Sequence, residues 1–236
     1  MIRRSLLLSF ALAQACTPRP DTARPPVGTT AAPAPVSAAA ALDRYESEIV
    51  AFETADRAMP HAPGGILFVG SSSIRRWTTL AADFPALPVL NRGFGGSTLR
   101  EVNHYAPRIV LPYQPRLIVL YAGDNDIAMG RTPAQVADDY RTFVRIVREA
   151  LPVTRIIFVS VKPSPSRWSL IDRAREANAL VRAIVEHDTL QTFVDVVTPM
   201  LRADGRPRPE LFVGDSLHMT AAGYAIWRDR LTPLVH

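Results

Sequence analysis

The chain has 236 residues, 47% of them hydrophobic and 21% charged, ordinary globular proportions that exclude a wholly disordered chain and a polytopic membrane protein. Its single cysteine excludes an internal disulfide, a CxxC redox pair and a thiolate-rich metal site. The formal charge of +5 comes from 27 basic against 22 acidic residues, and every basic residue but Lys162 is arginine. These arginines are scattered among acids, as in Asp172-Arg173-Ala174-Arg175-Glu176, rather than gathered into a stripe, so no nucleic-acid partner is expected.

Met1 to Arg4 form a short positive segment, Ser5 to Ala13 an apolar run too short to span a bilayer, and Ala13-Gln14-Ala15 a small-x-small cleavage site. Residues 1–15 therefore read as a secretory signal peptide and predict export. The stretch Leu12-Ala13-Gln14-Ala15-Cys16 resembles a bacterial lipoprotein lipobox with its leucine one place upstream of the usual position. That resemblance implies lipidation of Cys16 and a cell-envelope lipoprotein that meets the membrane through its N-terminal lipid alone. The alternative is a cleaved signal with a free Cys16 and a periplasmic or secreted protein. Residues 16–41, rich in Pro, Ala and Thr, read as an anchor and extended linker. The folded domain is expected over 42–236.

Leu42, Tyr45, Ile49 and Phe52 have helical spacing, and Pro60 stops the helix predicted over Leu42–Ala58. Short apolar runs then recur at Gly65–Gly70, Pro88–Asn91, Leu117–Tyr121, Arg155–Val161 and Thr192–Val196, each the length of a buried strand. Amphipathic stretches separate them, notably Pro133–Ala150, with Thr132 as N-cap and proline at the first helical position, and Ser169–His187. Thr220–Leu231 makes a last helix. Five apolar strands alternating with helices predict an α/β fold with a mostly parallel five-stranded sheet covered on both faces. Such sheets bind ligands at the carboxyl ends of their strands.

Polar residues collect at those ends. After the first strand comes Gly70-Ser71-Ser72-Ser73, a hydroxyl beside free backbone N–H groups, as a nucleophile requires, although a serine-capped turn reads the same way. Asn91-Arg92-Gly93-Phe94-Gly95-Gly96 follows the second strand, and Gly123-Asp124-Asn125-Asp126 ends the third, where an asparagine amide can donate a hydrogen bond or simply close an Asx turn. Asp215-Ser216-Leu217-His218 precedes the last helix. A carboxylate three residues before an imidazole can hold its Nδ1–H and leave Nε2 free as a base.

In this order the four elements resemble the blocks of the SGNH (GDSL) hydrolase superfamily from about residue 62 to the end. Ser71 stands where the usual motif has Asp, as in a bacterial branch with Gly-Ser-Ser-Ser-Ile. The resemblance implies a three-layer, flavodoxin-like αβα sandwich without cofactor or metal. It implies Ser72 as nucleophile, His218 and Asp215 as base and orienter, and an oxyanion hole of the Ser72 N–H, the Gly96 N–H and the Asn125 side chain. His61, His187 and His236 lie away from the strand ends, His104 falls on the helix after Gly96, and no HExxH or comparable cluster appears.

The expected activity is a serine esterase on short acyl esters, with acetylated carbohydrate a natural class for an envelope protein. Acyl transfer to sugar hydroxyls and a non-catalytic glycan-binding module are the alternatives. Trp168, Trp77 and Arg76 are candidate substrate contacts, and for each tryptophan simple packing is the competing reading.

Overall fold

A computed structural model describes residues 42–236. The readings on residues 1–41, Cys16 included, lie outside the described residues. Five strands, β1 (Ile66–Gly70), β2 (Val89–Gly93), β3 (Leu117–Tyr121), β4 (Arg155–Val159) and β5 (Gln191–Val194), form one sheet in the order β2-β1-β3-β4-β5, every pair parallel. The helices are α1 (Glu46–Ala58), α2 (Ser72–Arg75), α3 (Leu80–Asp83), α4 (Leu99–Ile109), α5 (Asp124–Ala128), α6 (Pro133–Ala150), α7 (Ile171–Val185) and α8 (Ala221–Leu231).

Strand composition explains the layering. Leu67 and Val69 of β1 join Ile118, Leu120, Ile156 and Phe158 in a core under α1, α4, α6 and α7. Their sequence neighbours Ile66 and Phe68 join Leu117, Val119, Ile157 and Val159 in a second core under α2, α3 and α8. Successive side chains of a strand point to opposite faces, so a continuous aliphatic run supplies both cores at once. Burying each such side chain contributes about 1.5–3 kcal/mol. On α8, Tyr224, Trp227 and Leu231 fall on one stripe and are buried.

Helix starts follow their capping residues. Thr132 accepts from the Gln135 N–H while the Gln135 side chain accepts from the Thr132 N–H, with Pro133 at the first turn. Thr98 and Glu101 make the same reciprocal box on α4. Thr220 caps α8.

The structure moves several predicted boundaries. The first helix begins with a 3₁₀ turn, Asp43–Tyr45. The ladder of β4 ends at Val159 because the N–H and C=O of Val161 are taken by the Asn178 amide, at 2.8 and 3.1 Å. Residues 169 and 170 belong to a 3₁₀ segment, Pro165–Leu170, broken from helical geometry at Arg167, and α7 starts only at Ile171.

For Trp77 the structure favours the competing reading, simple packing, over a substrate contact. The residue is 1% exposed and packs against Phe68, Phe84, Tyr224 and Trp227, with ring centroids 5.2–6.0 Å apart. Its indole N–H donates to Asp83 Oδ2 at 2.6 Å, which satisfies the one polar atom that burial would otherwise strand. Trp77→Ala is therefore expected to cost about 3–5 kcal/mol in the midpoint and slope of denaturant unfolding, the range for truncating a buried large aromatic.

Candidate active site

The strand order reverses between β1 and β3, and the chemistry gathers at their carboxyl ends. Gly70 closes β1 at φ +136°, and a Cβ there would lie 1.9 Å from the Tyr121 carbonyl oxygen. Glycine is thus required by both dihedral and space. The Ser71 N–H donates to that same carbonyl at 3.0 Å, and the Ser71 carbonyl accepts from the N–H groups of Ile74 and Arg75. The chain leaves the sheet and winds at once into α2. Ser71 and Ser73 are 2% exposed, whereas Ser72 between them is half-buried and reaches the surface. Among the three serines the fold presents Ser72.

His218 comes from the loop before α8. Its Nε2 lies 2.9 Å from Ser72 Oγ, and its Nδ1 lies 2.6 Å from Asp215 Oδ2. Asp215 Oδ1 accepts from the N–H groups of Leu217 and His218, both at 2.9 Å, in a loop closed by Val213 N–H to the His218 carbonyl and by Ser216 at φ +56°. Desolvation opposes the charge on Asp215, but the hydrogen bonds from the imidazole and from the two N–H groups outweigh it and hold the carboxyl well below the ordinary range. Asp215 stays an acceptor for Nδ1–H, and Nε2 faces the serine as an acceptor.

The three donors expected of an oxyanion hole each leave a strand at this end of the sheet. The Ser72 N–H opens α2 and has no intrahelical acceptor. The Asn125 amide donates one hydrogen to the Ser97 carbonyl at 3.1 Å and keeps a second. A Cβ built on Gly96 would stand 3.7 Å from both Asn125 Nδ2 and the Tyr45 hydroxyl. The Gly96 N–H itself donates to Tyr45 Oη at 3.0 Å. Burial raises the pKa of the Tyr45 hydroxyl and keeps it neutral. Nothing in the sequence marks Tyr45 beyond its place in a helical pattern.

Beside Asn125 is a partly buried ionic cluster that motif reading also missed. Arg167 Nη2 donates to Asn125 Oδ1 at 2.8 Å, and Arg167 Nη1 lies 2.6 Å from Asp124 Oδ1. Lys162 Nζ donates to Asp124 Oδ2 at 3.0 Å and to the Tyr121 hydroxyl at 3.1 Å. Burial disfavours the charge on Asp124, yet the Lys162 and Arg167 cations prevail and keep its pKa below the usual value. The signal available was Lys162, the chain's one lysine, set in a loop at a strand end.

The remaining predicted contacts lie at the rim. Arg76 is exposed, its guanidinium 3.9 Å from Asp215. Trp168 is half-buried between the guanidinium groups of Arg206 and Arg175, at 5.2 and 5.8 Å from its ring centre. Its 3₁₀ segment is tied to the histidine loop by the Ser166 N–H, which donates to the Ser216 carbonyl at 3.1 Å. His104 is a half-exposed residue of α4 facing Asp43 at 3.2 Å. Among the described residues no three His, Cys, Asp or Glu side chains converge as metal ligands, and no helix is long and apolar enough to cross a membrane.

Known proteins resemble this chain. A model of the GDSL-like lipase/acylhydrolase family matches residues 64–226. The α1 subunit of platelet-activating factor acetylhydrolase IB from Bos taurus is 26% identical over 168 residues, covering 67% of this chain and 69% of that protein. The α2 subunit from Rattus norvegicus is 27% identical over 173 residues, covering 68% and 71%. Two solved structures share the fold. A GDSL-like lipase from Bacteroides thetaiotaomicron has a TM-score of 0.68 at 20% identity, over 80% of this chain and 97% of that one. A catalytic mutant of an acetylxylan esterase from Geobacillus stearothermophilus has 0.60 at 17% identity, over 75% and 96%.

The turn that presents Ser72 leaves no tolerance at Gly70. Gly70→Ala is expected to lower stability by about 3 kcal/mol or more, since an unfavourable positive φ and a backbone clash add together. Thermal and denaturant unfolding of the purified variant measure it.

Proposed function

Because the chain belongs to the GDSL-like lipase/acylhydrolase family, and so is an ester hydrolase of that type, we propose that it cleaves short acyl esters, acetyl esters of carbohydrate among them, through Ser72, His218 and Asp215. The observation that carries this reading is the unbroken relay from Asp215 Oδ2 to His218 Nδ1 and from His218 Nε2 to Ser72 Oγ, at 2.6 and 2.9 Å.

In this reaction His218 Nε2 takes the Ser72 proton as Oγ bonds to the ester carbonyl carbon. The carbonyl oxygen becomes an oxyanion facing the Ser72 N–H, the Gly96 N–H and Asn125 Nδ2. Imidazolium returns its proton to the departing alcohol, leaving an acyl-serine. Water, deprotonated by the same nitrogen, then releases the acid and restores the serine. The carbonyl oxygen has to take the Gly96 N–H from Tyr45. That exchange becomes favourable as charge develops, because a hydrogen bond to an anion is about twice as strong as one to a neutral hydroxyl.

The preference for short acyl groups rests on the chemistry printed for the relatives, acetylhydrolases and an acetylxylan esterase. Arg76 and Trp168 stand at the rim, where a sugar ring or leaving group would pass. Residues 1–15 and Cys16 support an exported, lipid-anchored protein. Cys16→Ala should shift it from the membrane to the soluble fraction on fractionation, and an unchanged distribution would count against the anchor.

Ser72→Ala is expected to lower kcat for a nitrophenyl acetate by about 10⁶, the scale for removing a nucleophile that acts with its base. Asn125→Ala should lower it by about 10²–10³. Ser71→Ala and Ser73→Ala, if folded, retain activity and labelling by a fluorophosphonate. Wild-type turnover by Ser72→Ala, or absence of a Ser72 adduct in the native protein, would overturn the mechanism. A panel from acetyl to long-chain esters and acetylated glycans reads the substrate range.

A further inference from the structure

An oxyanion hole that uses an asparagine has a weakness that one using backbone alone lacks. The side-chain amide can rotate by half a turn and present its oxygen, which repels an oxyanion, in place of its N–H. At Asn125 the surroundings decide between the two orientations. Oδ1 faces the Arg167 guanidinium at 2.8 Å and Nδ2 faces the Ser97 carbonyl at 3.1 Å. A guanidinium has donors only and a carbonyl accepts only. Rotation would set two donors against each other and two acceptors against each other.

The guanidinium is fixed in turn. Asp124 Oδ1 pairs with Arg167 Nη1 at 2.6 Å, and Asp124 Oδ2 is held by Lys162 at 3.0 Å and by the Tyr121 hydroxyl at 3.3 Å. The Lys162 side chain is 1% exposed and that of Asp124 9%. Two cations and one anion leave a net positive charge beside the site, in surroundings that screen it weakly. Arg167 departs from helical geometry within its 3₁₀ segment, at φ −116°, and that segment is pinned to the histidine loop through Ser216.

We propose that Arg167 is a positioning residue for the reaction: it locks and polarises the Asn125 amide so that Nδ2 faces the oxyanion, while Asp124 and Lys162 hold the guanidinium in place. This rests on the reading of Asn125 as an oxyanion donor. Arg167 acts through Asn125 and touches no reacting atom. Its removal therefore weakens transition-state stabilisation without removing a ground-state contact.

The test is steady-state kinetics of the full chain on nitrophenyl acetate, with thermal unfolding of each variant. Arg167→Met is expected to lower kcat by about 10- to 100-fold with KM within about 2-fold, the signature of an interaction made in the transition state. Arg167→Lys keeps a cation beside Asp124 but cannot bridge both partners, so it should recover part of the loss. In an Asn125→Ala background, Arg167→Met should cost less than about 3-fold, because the two residues act as one unit. A change confined to KM would make Arg167 a substrate contact and overturn the proposal. An equal factor in both backgrounds would overturn it as well, while leaving Asn125 as a donor. Asn125→Ala turning over at the wild-type rate would remove the oxyanion assignment and this proposal with it. Should Arg167→Met fail to fold, full activity in Arg167→Lys overturns the proposal and partial activity at unchanged KM supports it.

Discussion

Gly70 and the Tyr121 carbonyl approach so closely that no side chain fits between them, and the geometry of the site descends from that contact. It sits between two neighbouring strands that send their chains to opposite sides: β1 continues into α2 beneath one face, and β3 continues into α5 towards the other. The Tyr121 carbonyl, freed from the ladder, binds the Ser71 N–H. Ser72 and Asn125 are thereby carried on adjacent strands, two and four residues past that junction, and need no long loop to bring them together. Precision comes from the sheet, which is the most rigid element available.

The supporting charges are less economical. Burying Lys162 and Asp124 beside the partly exposed Arg167 costs desolvation that an apolar cluster would avoid, and their mutual attraction offsets it only while every partner is present. Such an arrangement is a poor way to stabilise a domain and a good way to define one orientation of neighbouring groups. The stability of this fold is better traced to the two apolar cores and to the aromatic cluster of Phe68, Trp77, Phe84, Tyr224 and Trp227.

How much the sequence reveals depends on how local the signal is. Aliphatic runs and capping pairs such as Thr132 with Gln135 act over a few residues, so strand number, parallel architecture and helix starts could be read directly. Ser72, Gly96, Asn125, Asp215 and His218 are each set in short motifs, and the structure brings them to one end of the sheet. Strand ends were less legible: β4 stops where the Asn178 amide, 17 residues downstream, captures the Val161 backbone. For Trp77 the sequence leaves substrate contact and packing both open, because its burial depends on Tyr224 and Trp227, some 150 residues away along the chain. Arg167 and Tyr45 left no local trace, since what distinguishes them from other arginines and tyrosines is a partner on a distant segment.

Tyr45 also bears on where the working unit begins. It precedes residues 64–226, the part that matches the family, yet its ring packs on Phe94 and over Gly95, and its hydroxyl holds the Gly96 N–H. A domain excised at the family boundary would keep every motif residue and lose the ring and hydroxyl that contact Phe94, Gly95 and Gly96. Gly95, now covered by an aromatic ring, would face solvent, and the Gly96 N–H would be handed to water. The segment that carries Tyr45 is in this sense part of the surroundings of Gly96, and swapping it between relatives would change what the Gly96 N–H meets.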